Sequence, residues 1–143
     1  MPQRNPGYVA RVTEHCWALP HTVAAPAMTR QLIARACENG CVPESRAADC
    51  SLMATELVTN ALLHGRGDIT LTVGCRESGV VRIEVHDAGS SDWGGTRHPA
   101  HADSDRETGR GLRIVEALAE DWGVEAGDAA TCAWFEVSRP PDG

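Results

Sequence analysis

The sequence predicts an α+β sandwich, and three stretches carry that prediction. In Glu56-Leu57-Val58-Thr59-Asn60-Ala61-Leu62-Leu63-His64-Gly65 the polar residues Glu56, Asn60 and His64 recur every fourth position. That spacing puts all three on one face of a helix, while Leu52, Leu57, Val58, Ala61 and Leu62 form an apolar face that can pack into a core. Val81, Ile83 and Val85 alternate with Arg82, Glu84 and His86, the period of a half-buried strand. Ile69, Leu71, Val73 and Cys75 alternate in the same way just upstream, across a Ser78-Gly79 turn.

The remaining elements follow in chain order. Residues 1–14 read as a loose tail and residues 16–19 as a short strand. Pro26 suits the first turn of a helix that runs to about Cys37, with Met28, Leu32, Ile33 and Ala36 as its apolar side and Gly40 as its stop. Pro43 and Glu44 open the long helix, and Gly65-Arg66-Gly67 closes it. After Asp87 the chain from 90 to 108 is rich in Gly, Ser, Asp and His, with little to pack beyond Trp93 and Pro99. A helix over 111–119 and strands at 122–125 and 132–137 complete the sandwich. Residues 15–138 thus form one domain, with 139–143 as a tail.

Composition removes several function classes. The 143 residues bury roughly 68–70% of the surface that the unfolded chain exposes, enough for a core. Thirteen basic residues against twenty acidic ones give a net charge of −7, which argues against non-specific nucleic-acid binding. Every basic residue is Arg, so no lysine is present for a Walker-type phosphate site or a Schiff base. No apolar run approaches the ~18 residues of a membrane span. The six cysteines contain no Cys-x-x-Cys pair, and without a signal peptide they are expected to be reduced thiols of a cytoplasmic protein, mostly small core residues. His98 and His101 belong to the polar loop rather than to a metal site.

Three polar features point to chemistry. The stripe Glu56, Asn60 and His64 offers a carboxylate base and an amide metal ligand to one cleft. Asp87 continues the buried parity of its strand, so its carboxylate needs a hydrogen-bonded partner. Gly109-Arg110-Gly111 opens a helix between glycines and exposes unpaired amide N–H groups to an anion.

In order and spacing these blocks resemble the GHKL ATPase superfamily with the Bergerat ATP-binding fold, and within it the anti-sigma-factor serine kinases of the RsbW and SpoIIAB type. Glu56 to Gly65 is similar to the N-box, His86-Asp87-Ala88-Gly89 to the first glycine box, and Thr108-Gly109-Arg110-Gly111-Leu112 to the second; the likeness spans residues 17–137. The resemblance implies a two-layer sandwich, a mostly antiparallel mixed sheet with helices on one face, and an ATP lid over 90–108. It implies ATP and Mg²⁺ as cofactors. Asn60 would coordinate Mg²⁺, and Asp87 would accept a hydrogen bond from the adenine amino group. His64, Gly89, Thr108, Gly109, Arg110, Gly111 and Leu112 would complete the nucleotide site, and Glu56 would be the general base. Such a set supplies the metal, amide donors and positioned acceptor that phosphoryl transfer needs.

The family also implies a threonine near adenine on the final strand. Thr131 and Cys132 compete for that position; strand parity groups Thr131 with Ala133, Phe135 and Val137, and its hydroxyl favours it. The chain departs from many members in carrying Ser91 where they have a second glycine of the first box. The implied activity is a serine/threonine protein kinase that sequesters a sigma factor, partly through Arg30, and phosphorylates a STAS-type anti-anti-sigma protein, acting as a homodimer. The alternative is a non-catalytic ATP-binding switch that holds a partner according to nucleotide state; the presence of Glu56 favours the kinase. A detached histidine-kinase catalytic domain is a weaker match, because no dimerising helix with a phosphoacceptor histidine is present.

Overall fold

Among the described residues, five strands run antiparallel in one sheet, in the order β1-β2-β3-β5-β4, with three helices against one face. The structure, a computed structural model, describes residues 12–89, 110–126 and 129–138. Its elements are β1 (Val12–Leu19), α1 (Ala25–Glu38), a 3-10 turn (Glu44–Arg46), α2 (Ala47–His64), β2 (Ile69–Arg76), β3 (Val80–Asp87), α3 (Arg110–Leu118), β4 (Asp121–Ala126) and β5 (Thr131–Ser138). All four pairings are antiparallel, so the expected mixed character is absent among the described strands.

Alternation decides what each strand contributes. Leu71, Val73, Ile83, Val85, Phe135 and Val137 point toward the helices and are buried. From above, α1 presents Ala25, Thr29, Ile33 and Ala36, and α2 presents Cys50, Met53, Ala54, Leu57, Val58 and Ala61. Each fully buried Leu, Ile or Phe side chain contributes on the order of 1.5–3 kcal/mol, so this layer supplies most of the stability. Leu52 differs from the sequence expectation. It is 45% exposed, because Met53 and Ala54 turn toward the sheet in its place.

Helix ends obey local rules. Pro26 sits in the first turn of α1, and Gly40, at φ +83°, takes the left-handed conformation that stops it. Pro43 and Glu44 enter a 3-10 turn first, and α2 proper begins at Ala47. Arg46 fixes that entry: its guanidinium donates to Asp49 at 3.3 Å, to Glu120 at 3.2 Å and to the Leu118 carbonyl at the C-terminal end of α3 at 3.2 Å.

The cysteines need a correction. Cys41 and Cys75 form a disulfide rather than standing as separate thiols, with Cα atoms 5.5 Å apart. The turn after Gly40 lays Cys41 over β2, and a sequence separation of 34 hid the pair from any reading of spacing. Cys50 does behave as expected, a core residue whose thiol is pushed up to about 12 by burial. No helix among the described residues is long and apolar enough to cross a membrane.

Candidate functional site

Helix α2 carries Glu56, Asn60 and His64 down one side, and their exposure is graded. Asn60 is only 7% exposed, whereas Glu56 and His64 are half-buried. The Asn60 side-chain nitrogen has no hydrogen-bond partner among the described residues. Leaving a buried polar group unpaired costs about 1–3 kcal/mol, a cost a fold keeps where a ligand completes the group. Among the described residues four buried side-chain atoms share this condition, and a second, Thr131 Oγ1, also belongs to the predicted site.

Asp87 ends β3 on the buried side and pairs across the sheet with Thr131. One carboxylate oxygen accepts the Gly89 N–H at 2.7 Å. Burial dominates the electrostatics and raises the Asp87 carboxyl above the usual carboxylate value, against the opposing pull of the Gly89 amide, His21, Thr131 and His86. Thr131 lies close enough to favour the charged carboxylate, yet its hydroxyl makes no hydrogen bond of good geometry. Cys132 points to the opposite face beside His86, so the register places the hydroxyl, not the thiol, with Asp87.

The end of α2 is fitted against this carboxylate. A methyl group on Gly65 would lie 2.3 Å from Asp87 Oδ2, 2.6 Å from its Cγ and 2.7 Å from the Ala61 carbonyl oxygen. Only glycine permits that approach, and its φ of −91° shows that space, not a left-handed backbone, is the reason. The following residues bind the two glycine motifs together. Ala88 N–H donates to the Arg66 carbonyl at 2.7 Å, and Arg66 Nε to the Gly89 carbonyl at 3.4 Å. His21 bridges the same corner, with Nδ1 2.9 Å from the Gly67 carbonyl and Nε2 3.1 Å from that of Leu62. Neither His21 nor the closeness of Gly65 to Asp87 was evident in the sequence; the one available signal was the glycine directly after His64.

Helix α3 starts at Arg110, so the backbone of Arg110 and Gly111 lies in its first turn. Leu112 and Val115 are buried in the core and hold the helix against α2. Thr108, Gly109 and the predicted lid lie outside the described residues. Arg30 is exposed on α1 and is not part of the Asn60–Asp87 cluster. The structure thus joins the N-box helix to the first glycine box through Gly65 and Asp87, and seats Thr131 opposite.

A helix layer on an antiparallel sheet, with a buried amide and a cradled strand-end carboxylate, defines a class. The chain belongs to the histidine kinase-like ATPase domain family, whose model matches residues 16–137. Among solved structures it is similar to the RsbU and RsbW domains of Rv1364c from Mycobacterium tuberculosis, with a TM-score of 0.69 and 24% identity. That match covers 90% of this chain and 33% of the other, so the chain spans about a third of that protein's length. No curated protein matches the chain.

Proposed function

We propose that the chain is an Mg²⁺- and ATP-dependent serine/threonine protein kinase of the anti-sigma-factor type. In this reading it phosphorylates a STAS-type anti-anti-sigma protein and sequesters a sigma factor in the cytoplasm, as a homodimer, with Arg30 on the partner-binding surface. The observation that carries it is the buried Asn60 side chain, its nitrogen without a hydrogen-bond partner among the described residues, one helical turn after Glu56 on the helix whose end cradles Asp87.

The residues present fit the cofactors. Asn60 would hold Mg²⁺ through its side-chain oxygen, an uncharged ligand suited to a hard cation. Asp87 would accept the adenine amino hydrogen with Thr131 beside it, and His64, Gly89 and the 108–112 backbone would line the rest of the nucleotide. Mg²⁺, when bound, neutralises phosphate charge. Glu56 accepts the proton of the attacking serine or threonine hydroxyl. The RsbW domain in the similar structure supports the anti-sigma assignment.

Glu56→Gln tests the reading because it keeps shape and removes the base. With a STAS-type partner captured from the source cell, transfer of labelled γ-phosphate should slow by about 10²–10⁴ in the variant while ATP binding persists. Unchanged transfer in Glu56→Gln removes the general base. No transfer by the wild type to a partner it binds in a nucleotide-dependent way leaves the non-catalytic switch instead.

A further inference from the structure

The sheet face turned away from the helices carries a second cluster, on the opposite side of β3 from Asp87. Glu84 and His86 are two apart on β3, and Cys132 is the register partner of His86 on β5. Their ligand atoms, a carboxylate oxygen, Nε2 and Sγ, all lie within 4.8 Å of one another. His86 Nε2 is 2.8 Å from Glu84 Oε1 and 3.7 Å from Cys132 Sγ. We propose that Glu84, His86 and Cys132 form a Zn²⁺ site that ties β3 to β5 on the open face of the sheet.

The geometry suits zinc. With Zn–N of about 2.0–2.1 Å and Zn–S of about 2.3 Å, a tetrahedral pair of ligand atoms stands roughly 3.5 Å apart. The sulfur–nitrogen separation is already close to that, and the carboxylate needs only a side-chain rotation. A thiolate beside an imidazole favours Zn²⁺ over the oxygen-seeking Mg²⁺ and Ca²⁺. Surrounding groups orient the ligands. Arg82 holds the other oxygen of Glu84, donates to Glu136 at 3.1 Å and lies 3.9 Å over the Trp134 ring, which keeps Glu84 Oε1 turned toward His86 Nε2, where a cation would replace the hydrogen bond between them. The fourth position falls to water or to Glu125, the exposed register partner of Cys132 on β4.

The test uses the full chain, stripped with chelator and kept free of reductant so that Cys41 and Cys75 stay paired. Titration with Co²⁺ should saturate at one ion per chain, with the intense d–d bands of a tetrahedral site and a sulfur-to-metal charge-transfer band. Zn²⁺ should displace it and raise the melting temperature. Cys132→Ser should abolish the charge-transfer band and weaken Zn²⁺ on the order of 100-fold or more, the upper range seen when ligand support is lost. His86→Ala should weaken binding likewise, and it serves as the reading if Cys132→Ser does not fold. Cys16→Ser, on the same face 3.6 Å from the Thr72 hydroxyl, should bind as the wild type does. No tight Co²⁺ or Zn²⁺ binding by the wild type overturns the proposal, as does a charge-transfer band that survives in both Cys132→Ser and His86→Ala or vanishes in Cys16→Ser.

Discussion

Gly65→Ala would force the corner between the two glycine motifs apart, and the structure says by how much. Ordinary carbon contacts begin near 3.4 Å, so a methyl at 2.3 Å from Asp87 Oδ2 and 2.7 Å from the Ala61 carbonyl is short by 1.1 Å and 0.7 Å. Asp87 cannot simply swing aside, because its other oxygen is held by the Gly89 N–H. Overpacking of this kind costs about 1–3 kcal/mol. For a domain of this size that lowers the melting temperature by about 4–12 °C. If Asp87 reads adenine, displacing it by about 1 Å also removes a hydrogen bond to a charged acceptor, a loss of about 1.5–3 kcal/mol or roughly 10- to 150-fold in Mg-ATP affinity. Calorimetric melting and titration measure the two effects separately. Shortening the acid in Gly65→Ala/Asp87→Ser should recover part of the stability but none of the affinity. A Gly65→Ala protein that melts and binds Mg-ATP as the wild type does would refute the reasoning.

Asn60→Leu should leave the fold as stable as the wild type or more so, since it removes a buried unsatisfied amide, while Mg-ATP binding disappears; denaturant unfolding and titration calorimetry together check this. Asp87→Asn should weaken ATP by about 1.5–3 kcal/mol and GTP much less, which competition binding with both nucleotides reads directly. Replacing the disulfide with Cys41→Ser/Cys75→Ser opens a loop of 34 residues, for which chain entropy predicts a loss of about 4 kcal/mol in denaturant unfolding.

The elements were legible where one period ran unbroken. The alternation in β2 and β3 and the four-residue recurrence in α2 each follow from local chain geometry, so their faces could be read before any tertiary contact was known. What stayed hidden depends on pairing between distant segments. Thr131 and Cys132 are neighbours on one strand, and only the register of β5 against β3 says which of them shares a face with Asp87. Cys41 and Cys75 met for the same reason, through the packing of a helix-to-helix connection onto β2. Gly65 was visible as part of a motif and a helix stop, but its closeness to a carboxylate 22 positions later was not. His21, exposed and isolated in sequence, gave no sign that two carbonyls from another segment would converge on it.

The pairing of β3 with β5 also sets how this protein can change over evolutionary time. Asp87 stands opposite Thr131 on one side of the sheet, and His86 stands opposite Cys132 on the other. Deleting or inserting one residue in either strand would exchange these partners and present an imidazole and a thiol to the helix layer in place of a carboxylate and a hydroxyl. Within the strands themselves, viable changes therefore come as substitutions, or as insertions of two.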